Sequence, residues 1–194
     1  MVNSEECSGK SDQELVKLTL SDQEWFLGIV QRYEDKLGRY IRRISGFTEQ
    51  DIEDILQEVF IKVYQNLNDF DPDLKFSSWI YRITHNTVIS HYRHNQARPD
   101  LILGEEGEKL LFNLPDGQDL HQEVTNRLSA EQINKILKKL EAKYREVLVL
   151  RFLEDKDYKE ISDILKKPIG TVGTLINRGK QHFKETAHQL GIKF

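Results

Sequence analysis

The feature that most constrains this chain is an apolar stripe in residues 52–67. Ile52, Ile55, Leu56, Val59, Phe60, Val63 and Leu67 fall at i, i+3, i+4, i+7, i+8, i+11 and i+15. That spacing lines one side of an α-helix of about four turns, and the side must be buried against something. The opposite side carries Asp51, Asp54, Gln57, Glu58, Ile61, Lys62 and Gln65. Asp54, Glu58 and Ile61 lie side by side on it, three or four residues apart. Two readings fit this outer side. It is a solvated face, or it is a docking surface, since Ile61 is an apolar residue among charges.

Helical patterning continues to both sides. Residues 11–14, SDQE, match a capping box ahead of an apolar run. Trp25, Phe26, Ile29, Val30, Tyr33, Leu37, Tyr40, Ile41 and Ile44 then recur at helical spacing, with Gly46 as the expected stop. Residues 67–86 read LNDFDPDLKFSSWIYRITHN. Pro72 and its flanking aspartates mark a turn. Ser77 is placed to cap the next helix, with Phe76 stapled onto Tyr81. In that helix Tyr81, His85, Val88 and Tyr92 form one stripe, and Ile80 and Ile83 a second. Arg82, Asn86, Ser90 and Arg93 form a polar third, and fraying is expected near Arg98-Pro99. Phe76, Trp79 and Tyr81 beside basic residues suit stacking on unpaired bases. The same spacing equally suits a helix core.

Periodicity weakens over residues 99–128, which read as an acidic linker between two helical domains. Its apolar residues, among them Leu101, Ile102, Leu103 and Phe112, are expected to pack on a domain or a partner. From Ser129 order returns with a second capping box, S-x-x-Q. Ile133, Ile136, Leu137, Leu140, Tyr144, Val147 and Leu148 line the next helical face. Tyr158, Ile161, Ile164 and Leu165 form a short helix, Lys166-Lys167-Pro168 a turn, and Val172, Leu175, Ile176, Gly179 and Phe183 the inner face of a last helix. A supporting helix followed by two helices and a tight turn is a helix-turn-helix pattern. In such a unit the second helix faces the major groove. Its outward positions here are Thr171, Gly173, Thr174, Asn177, Arg178, Gln181 and Lys184, with Lys180 in reach of phosphate. A helical hairpin of this kind also occurs in proteins that bind no DNA.

Charge follows the same division. Residues 1–99 carry 12 basic and 16 acidic side chains, net −4; residues 100–128 carry 2 and 7, net −5; residues 129–194 carry 14 and 9, net +5. A basic end joined to an acidic one suits nucleic-acid contact at the first and a protein partner at the second. With 194 residues, 38% of them hydrophobic, the chain suits two small cores. The fold class is therefore all-α, in two small helical domains. No apolar run reaches the ~20 residues of a membrane span. The first twenty residues show no basic start and apolar core, so a cytoplasmic protein is expected. A single cysteine, Cys7, forms no internal disulfide. His85, His91 and His94 without a nearby cysteine make no metal site, and no phosphate loop, nucleophile elbow or HExxH is present. No catalytic residue and no cofactor is expected.

Two segments together resemble a known family. DIEDILQEVFIKVYQNL, followed by F-x-x-W-x-Y-R-I-x-x-N at 76–86, resembles conserved region two of a bacterial RNA polymerase sigma factor. Residues 140–183, with YREVLVLRFLED, YKEISDIL and P-I-G-T-V, resemble region four. Absence of a substantial region three is similar to the extracytoplasmic-function (ECF) group. The resemblance implies a tail over 1–10, a region-two domain over 11–98, a linker over 99–128, a region-four domain over 129–187 and a tail over 188–194. It implies a dissociable specificity subunit that binds core RNA polymerase and promoter DNA, both as duplex and as non-template single strand. An anti-sigma factor, which can hold such a protein at the membrane, is a further implied partner. Asp54, Gln57, Glu58 and Ile61 resemble the polymerase-docking residues, which favours docking over a solvated face. Asn68, Asp69, Phe70 and the residues through Lys75 resemble the loop that captures a base flipped from the "minus ten" element. Phe76, Trp79, Arg82 and Asn86 resemble the adjoining helix that takes part in melting. Thr171, Gly173, Thr174, Asn177, Arg178 and Lys180 resemble the surface that reads the "minus thirty-five" duplex. The linker resembles the segment threaded toward the polymerase active-site channel. Competing readings are a free-standing helix-turn-helix regulator and a sigma-like interaction module.

Four positions depart from the family pattern. Gly173 stands for a usual lysine and Leu175 for an arginine, which puts phosphate contacts there in doubt. Lys166 stands for a turn glycine, which implies strain if φ is positive. Glu141 stands for a common proline.

Overall fold

The computed structural model describes residues 4–95 and 128–192. The described residues form two compact helical units, one built on residues 4–95 and the other mainly on 128–192. The expected linker and the fraying at Arg98-Pro99 lie outside the described residues, apart from Leu128, which is buried.

In the first unit the helices are α1 (Ser4–Ser8), α2 (Asp12–Ser21), α3 (Phe26–Ile44), α4 (Glu49–Gln65) and α5 (Phe76–Asn95). Short 3-10 turns at Gln23–Trp25 and Leu67–Asp69 bridge neighbouring helices. The second unit holds α6 (Ala130–Lys139), α7 (Ala142–Phe152), α8 (Tyr158–Leu165) and α9 (Ile169–Gln189).

Local chemistry explains where four of the described helices begin. Ser11 caps α2 and Ser129 caps α6, each in a reciprocal box with Glu14 or Gln132. Two further boxes, Thr48 with Asp51 and Asp157 with Glu160, start α4 and α8. In each, the cap side chain accepts from the N3 amide and the N3 side chain accepts from the cap amide. Two orphan helix donors are thereby satisfied.

Three expectations are corrected. Residues 4–10, expected as a tail, contain α1. Arg32 Nη2 gathers the carbonyls of Cys7 (2.9 Å) and Lys10 (2.6 Å), and Cys7 itself is buried over Gly28. Gly46 does not end α3. That helix stops at Ser45 in extended backbone, φ −112° and ψ 172°, with the Ser45 amide bonded to Ile41. Ser77 does not cap α5 either. The Lys75 carbonyl already accepts from Ser78 and Trp79, so the helix starts at Phe76 and Ser77 sits in its first turn.

The α4 stripe is buried as its spacing requires. Ile52, Ile55, Val59 and Val63 are 0–2% exposed, against Leu37, Tyr40 and Ile41 of α3 and Ile80 and Val88 of α5 in the same core. In the second unit Ile136, Leu140, Val147, Leu150, Ile161, Val172, Leu175 and Ile176 form the core. Gly179 lets α9 approach α7 closely, since a Cβ there would lie 3.1 Å from Leu148 Cγ. Burial at ~25 cal/mol per Å² of apolar area is what holds both bundles together.

Candidate functional site

Burying one side of α4 leaves the other outward. Asp54 and Gln57 are exposed, and Ile61 is 56% exposed among them. Glu58 is half-buried and held from two sides, by Lys62 Nζ at 2.6 Å and His91 Nε2 at 2.6 Å. Lys62 also donates to Thr87 Oγ1 at 3.2 Å. The hydrogen bond from Lys62, followed by that from His91, lowers the Glu58 carboxyl below its usual range. The face thus presents one fixed carboxylate, one free-standing polar row and an apolar prominence. Tyr64, which the sequence reading passed over, adds to that prominence. It is 45% exposed three residues beyond Ile61, edge-on to Phe26 at 5.1 Å, with its hydroxyl donating to Gln23 Oε1 at 3.3 Å. Its three-residue spacing from Ile61 was the available signal.

The loop after α4 exposes Asn68, Asp69, Asp71, Asp73 and Lys75. Asp71 shapes the turn: its Oδ1 accepts from the Asp73 amide and its carbonyl from Leu74, both at 3.0 Å. Beneath the loop lies an aromatic floor. Phe70, Phe76 and Trp79 are 7%, 2% and 6% exposed, with ring centroids 5.3–5.6 Å apart. Tyr33 meets Phe76 edge-on at 5.7 Å and donates to Asp12 Oδ2 at 2.5 Å. Burial, then the Asp12 charge, drives the Tyr33 phenol far above its ordinary pKa. Asp12 Oδ1 pairs with Arg32 Nη1 at 2.8 Å, which ties the N-terminal segment to the same floor.

Of the two readings of Phe76, Trp79 and Tyr81, burial favours core over a stacking platform, and Phe70 shares that core. Helical spacing is the same for core and for an exposed platform; the structure gives these rings neighbours on several sides, so they offer no free face to a base. Tyr81 is 3% exposed and tilts against Tyr40 at 5.1 Å. Arg82 is half-buried and Asn86 exposed, on the polar side of α5. Among the described residues no group of histidine, cysteine and acidic side chains could hold a metal ion.

In the second unit, α8 and α9 meet at a tight turn. Lys166 is left-handed, φ 53° and ψ 41°, in the position expected of a glycine. Ser162 fixes the turn: its carbonyl accepts from the Lys167 amide at 3.2 Å, and its hydroxyl donates to the Lys167 carbonyl at 2.6 Å. Beyond it, Thr171, Gly173, Thr174, Asn177 and Arg178 are partly exposed along the outer side of α9. Thr174 Oγ1 donates to the Gly170 carbonyl at 3.0 Å. Lys180 Nζ lies over the Phe152 ring at 5.6 Å. Leu175 is 1% exposed and faces the core. Its departure from arginine therefore removes no outward charge. Gly173 does sit outward, with a built Cβ 3.7 Å from Tyr158 Cε2, so a side chain would fit.

Comparison with known proteins agrees with this division. Residues 29–98 match the family model for Sigma-70 region 2, and residues 130–183 match that for Sigma-70, region 4. The ECF RNA polymerase sigma factor SigW of Bacillus subtilis is 35% identical over 175 residues, covering 87% of this chain and 92% of that protein. The ECF RNA polymerase sigma-E factor of Escherichia coli K12 is 31% identical over 185 residues, covering 88% and 91%. Among solved structures, the fold is similar to CnrH bound to the cytosolic domain of CnrY, with TM-score 0.67, 24% identity and coverage of 93% and 99%. It is similar also to RpoE of Bartonella quintana in complex with the anti-sigma factor NepR, with TM-score 0.64, 18% identity and coverage of 84% and 96%.

Proposed function

The chain belongs to the ECF family of RNA polymerase sigma factors, and from that premise we propose how its surfaces divide the work of initiation. The outer side of α4 docks on core RNA polymerase through Asp54, Gln57, Glu58 and Ile61. The observation that carries this is Ile61, 56% exposed beside those polar groups while the inner stripe is buried. An apolar side chain held in water next to fixed charges is what a protein partner covers.

The loop from Asn68 to Lys75 receives one base of the non-template strand. Its exposed amide and carboxylates accept hydrogen bonds from base amino groups, and the rigid floor of Phe70, Phe76 and Trp79 holds the loop ready. Extrusion of a base costs a few kcal/mol, so a loop that is already ordered loses less on binding. Arg82 and Asn86 border the melted strand. In the second unit α9 reads upstream duplex through Thr171, Gly173, Thr174, Asn177 and Arg178, with Lys180 toward phosphate. The domains run over 11–98 and 129–187, with the acidic linker of 99–128 threaded toward the polymerase channel. The protein performs no chemistry itself and acts in the cytoplasm. An anti-sigma factor is its natural inhibitor, and it is the link by which the protein is held at a membrane. Among the described residues no helix is long and apolar enough to cross one.

Mixing purified chain with core RNA polymerase tests the reading. Co-elution and promoter-specific initiation on genomic fragments are expected. Asp54→Arg with Glu58→Arg abolishes both while circular dichroism is unchanged. Retained co-elution in the double variant overturns the docking role of α4. Loss of co-elution by the unmodified chain overturns the functional reading as a whole.

A further inference from the structure

Ile169 is the first residue of α9 and is 52% exposed. Among the described residues of the second unit it is the sole large apolar side chain so exposed. Its neighbours explain why nothing covers it. The inner face of α9, from Val172 through Leu175 and Ile176 to Gly179, turns into the core. On the outer surface the residue four positions on is Gly173, which brings no side chain across. Gly170 is equally bare: a Cβ built there meets nothing within 4 Å. The start of the helix is thus a low strip of backbone with one apolar prominence, just after the turn residues Lys166 and Lys167.

The first turn of the second helix in a helix-turn-helix unit faces base edges in the major groove. The one apolar group that a base pair offers there is the C5-methyl of thymine. We infer that Ile169 is a specificity-determining residue that selects thymine at one position of the upstream element by covering its methyl group. Gly170 and Gly173 let the backbone come close enough for that contact. This inference rests on the assignment of α9 to duplex reading. It adds an apolar determinant to the polar ones of that surface. Covering one methyl group corresponds to about a fourfold preference.

The test uses holoenzyme assembled from core RNA polymerase and the full chain. A duplex library randomised over the upstream element is selected with the unmodified protein, with Ile169→Ser and with Ile169→Val. The unmodified protein is expected to select a motif with thymine at one position. Ile169→Ser is expected to select the same motif with that position degenerate, and Ile169→Val to keep it. On the selected duplex, replacing that thymine by deoxyuridine removes only the methyl group. It should weaken the unmodified holoenzyme about fourfold and leave the serine variant indifferent. Ile169 is exposed, so the melting temperature should not move. A motif whose thymines are all retained by Ile169→Ser, or binding indifferent to deoxyuridine, overturns the inference and leaves duplex reading by α9 intact. Selection of no upstream motif by the unmodified protein overturns both.

Discussion

Under the 68–75 loop of the first unit lie aromatic rings packed edge-on and tilted, and under the outer face of α9 in the second lie aliphatic side chains. Phe70, Phe76, Trp79 and Tyr33 form a floor beneath the exposed loop. In the second unit Val147, Leu150, Val172, Leu175 and Ile176 are small, interlocking groups that fix the angle of one helix. The difference follows from what each surface has to hold. A loop has no internal ladder of hydrogen bonds, so large rigid rings and the bonded Tyr33–Asp12–Arg32 joint must order it from below. A helix orders itself, so it needs only to be aimed. Left-handed non-glycine backbone occurs in the second unit at Asp155 (φ 51°) and at Lys166 (φ 53°), the latter directly in the turn before α9.

The contrast can be broken most severely in the floor. Phe76→Ala should cost about 3–5 kcal/mol, and the loss should be confined to the first unit. Both tryptophans, Trp25 and Trp79, lie in that unit, so their fluorescence in a denaturant titration reports on it alone. The tryptophan transition should move to lower denaturant while amide protection in α9 persists; a parallel loss in α9 would contradict independent cores. The mirror experiment is Leu175→Arg, which restores the family's usual residue but places a guanidinium in a site 1% exposed. A destabilisation of about 3 kcal/mol is expected in the second unit, with the tryptophan transition unchanged. Tolerance of arginine there would show that Leu175 is not core. Smaller and opposite in sign, Lys166→Gly relieves the left-handed backbone and should raise second-unit stability by roughly 0.5–1 kcal/mol. Smallest is Glu141→Pro. Glu141 has φ −56° and follows an extended Leu140, so proline fits and should stabilise by about 0.4–1 kcal/mol through the unfolded chain. A loss in either variant's melting temperature would contradict the backbone geometry.

How much of this was legible in the sequence differs between the two units. The α4 stripe and the boxes at Ser11 and Ser129 were readable because each has a fixed spacing and a single physical solution. The boxes at Thr48 and Asp157 carry the same signature and were passed over. The start of α5 lies two residues before the one a Ser77 cap implies, because a serine is an attractive cap whether or not a preceding carbonyl has already begun the helix. Burial of the aromatics was not decidable from spacing: a ring at helical intervals serves a core and a stacking platform alike until its neighbours are known. Leu175 was legible as inward from its register with Val172 and Gly179, and its burial means that the family's usual arginine there marks no missing outward charge. Lys166 was legible from one argument alone, the conformational need of a turn where glycine is usual.

The division of labour between the units is tested most directly by permanganate footprinting of open promoter complexes, with upstream protection measured on the same fragment. Holoenzyme carrying Asn68→Ala and Asp69→Ala should keep the upstream footprint and lose reactivity of unpaired thymines. Holoenzyme carrying Arg178→Ala should weaken the upstream footprint by roughly 1–3 kcal/mol and open the promoter normally once concentration compensates. Normal thymine reactivity in the Asn68/Asp69 variant, or loss of opening at saturating Arg178→Ala, would contradict the assignment of melting to the loop of the first unit and of duplex reading to α9 of the second.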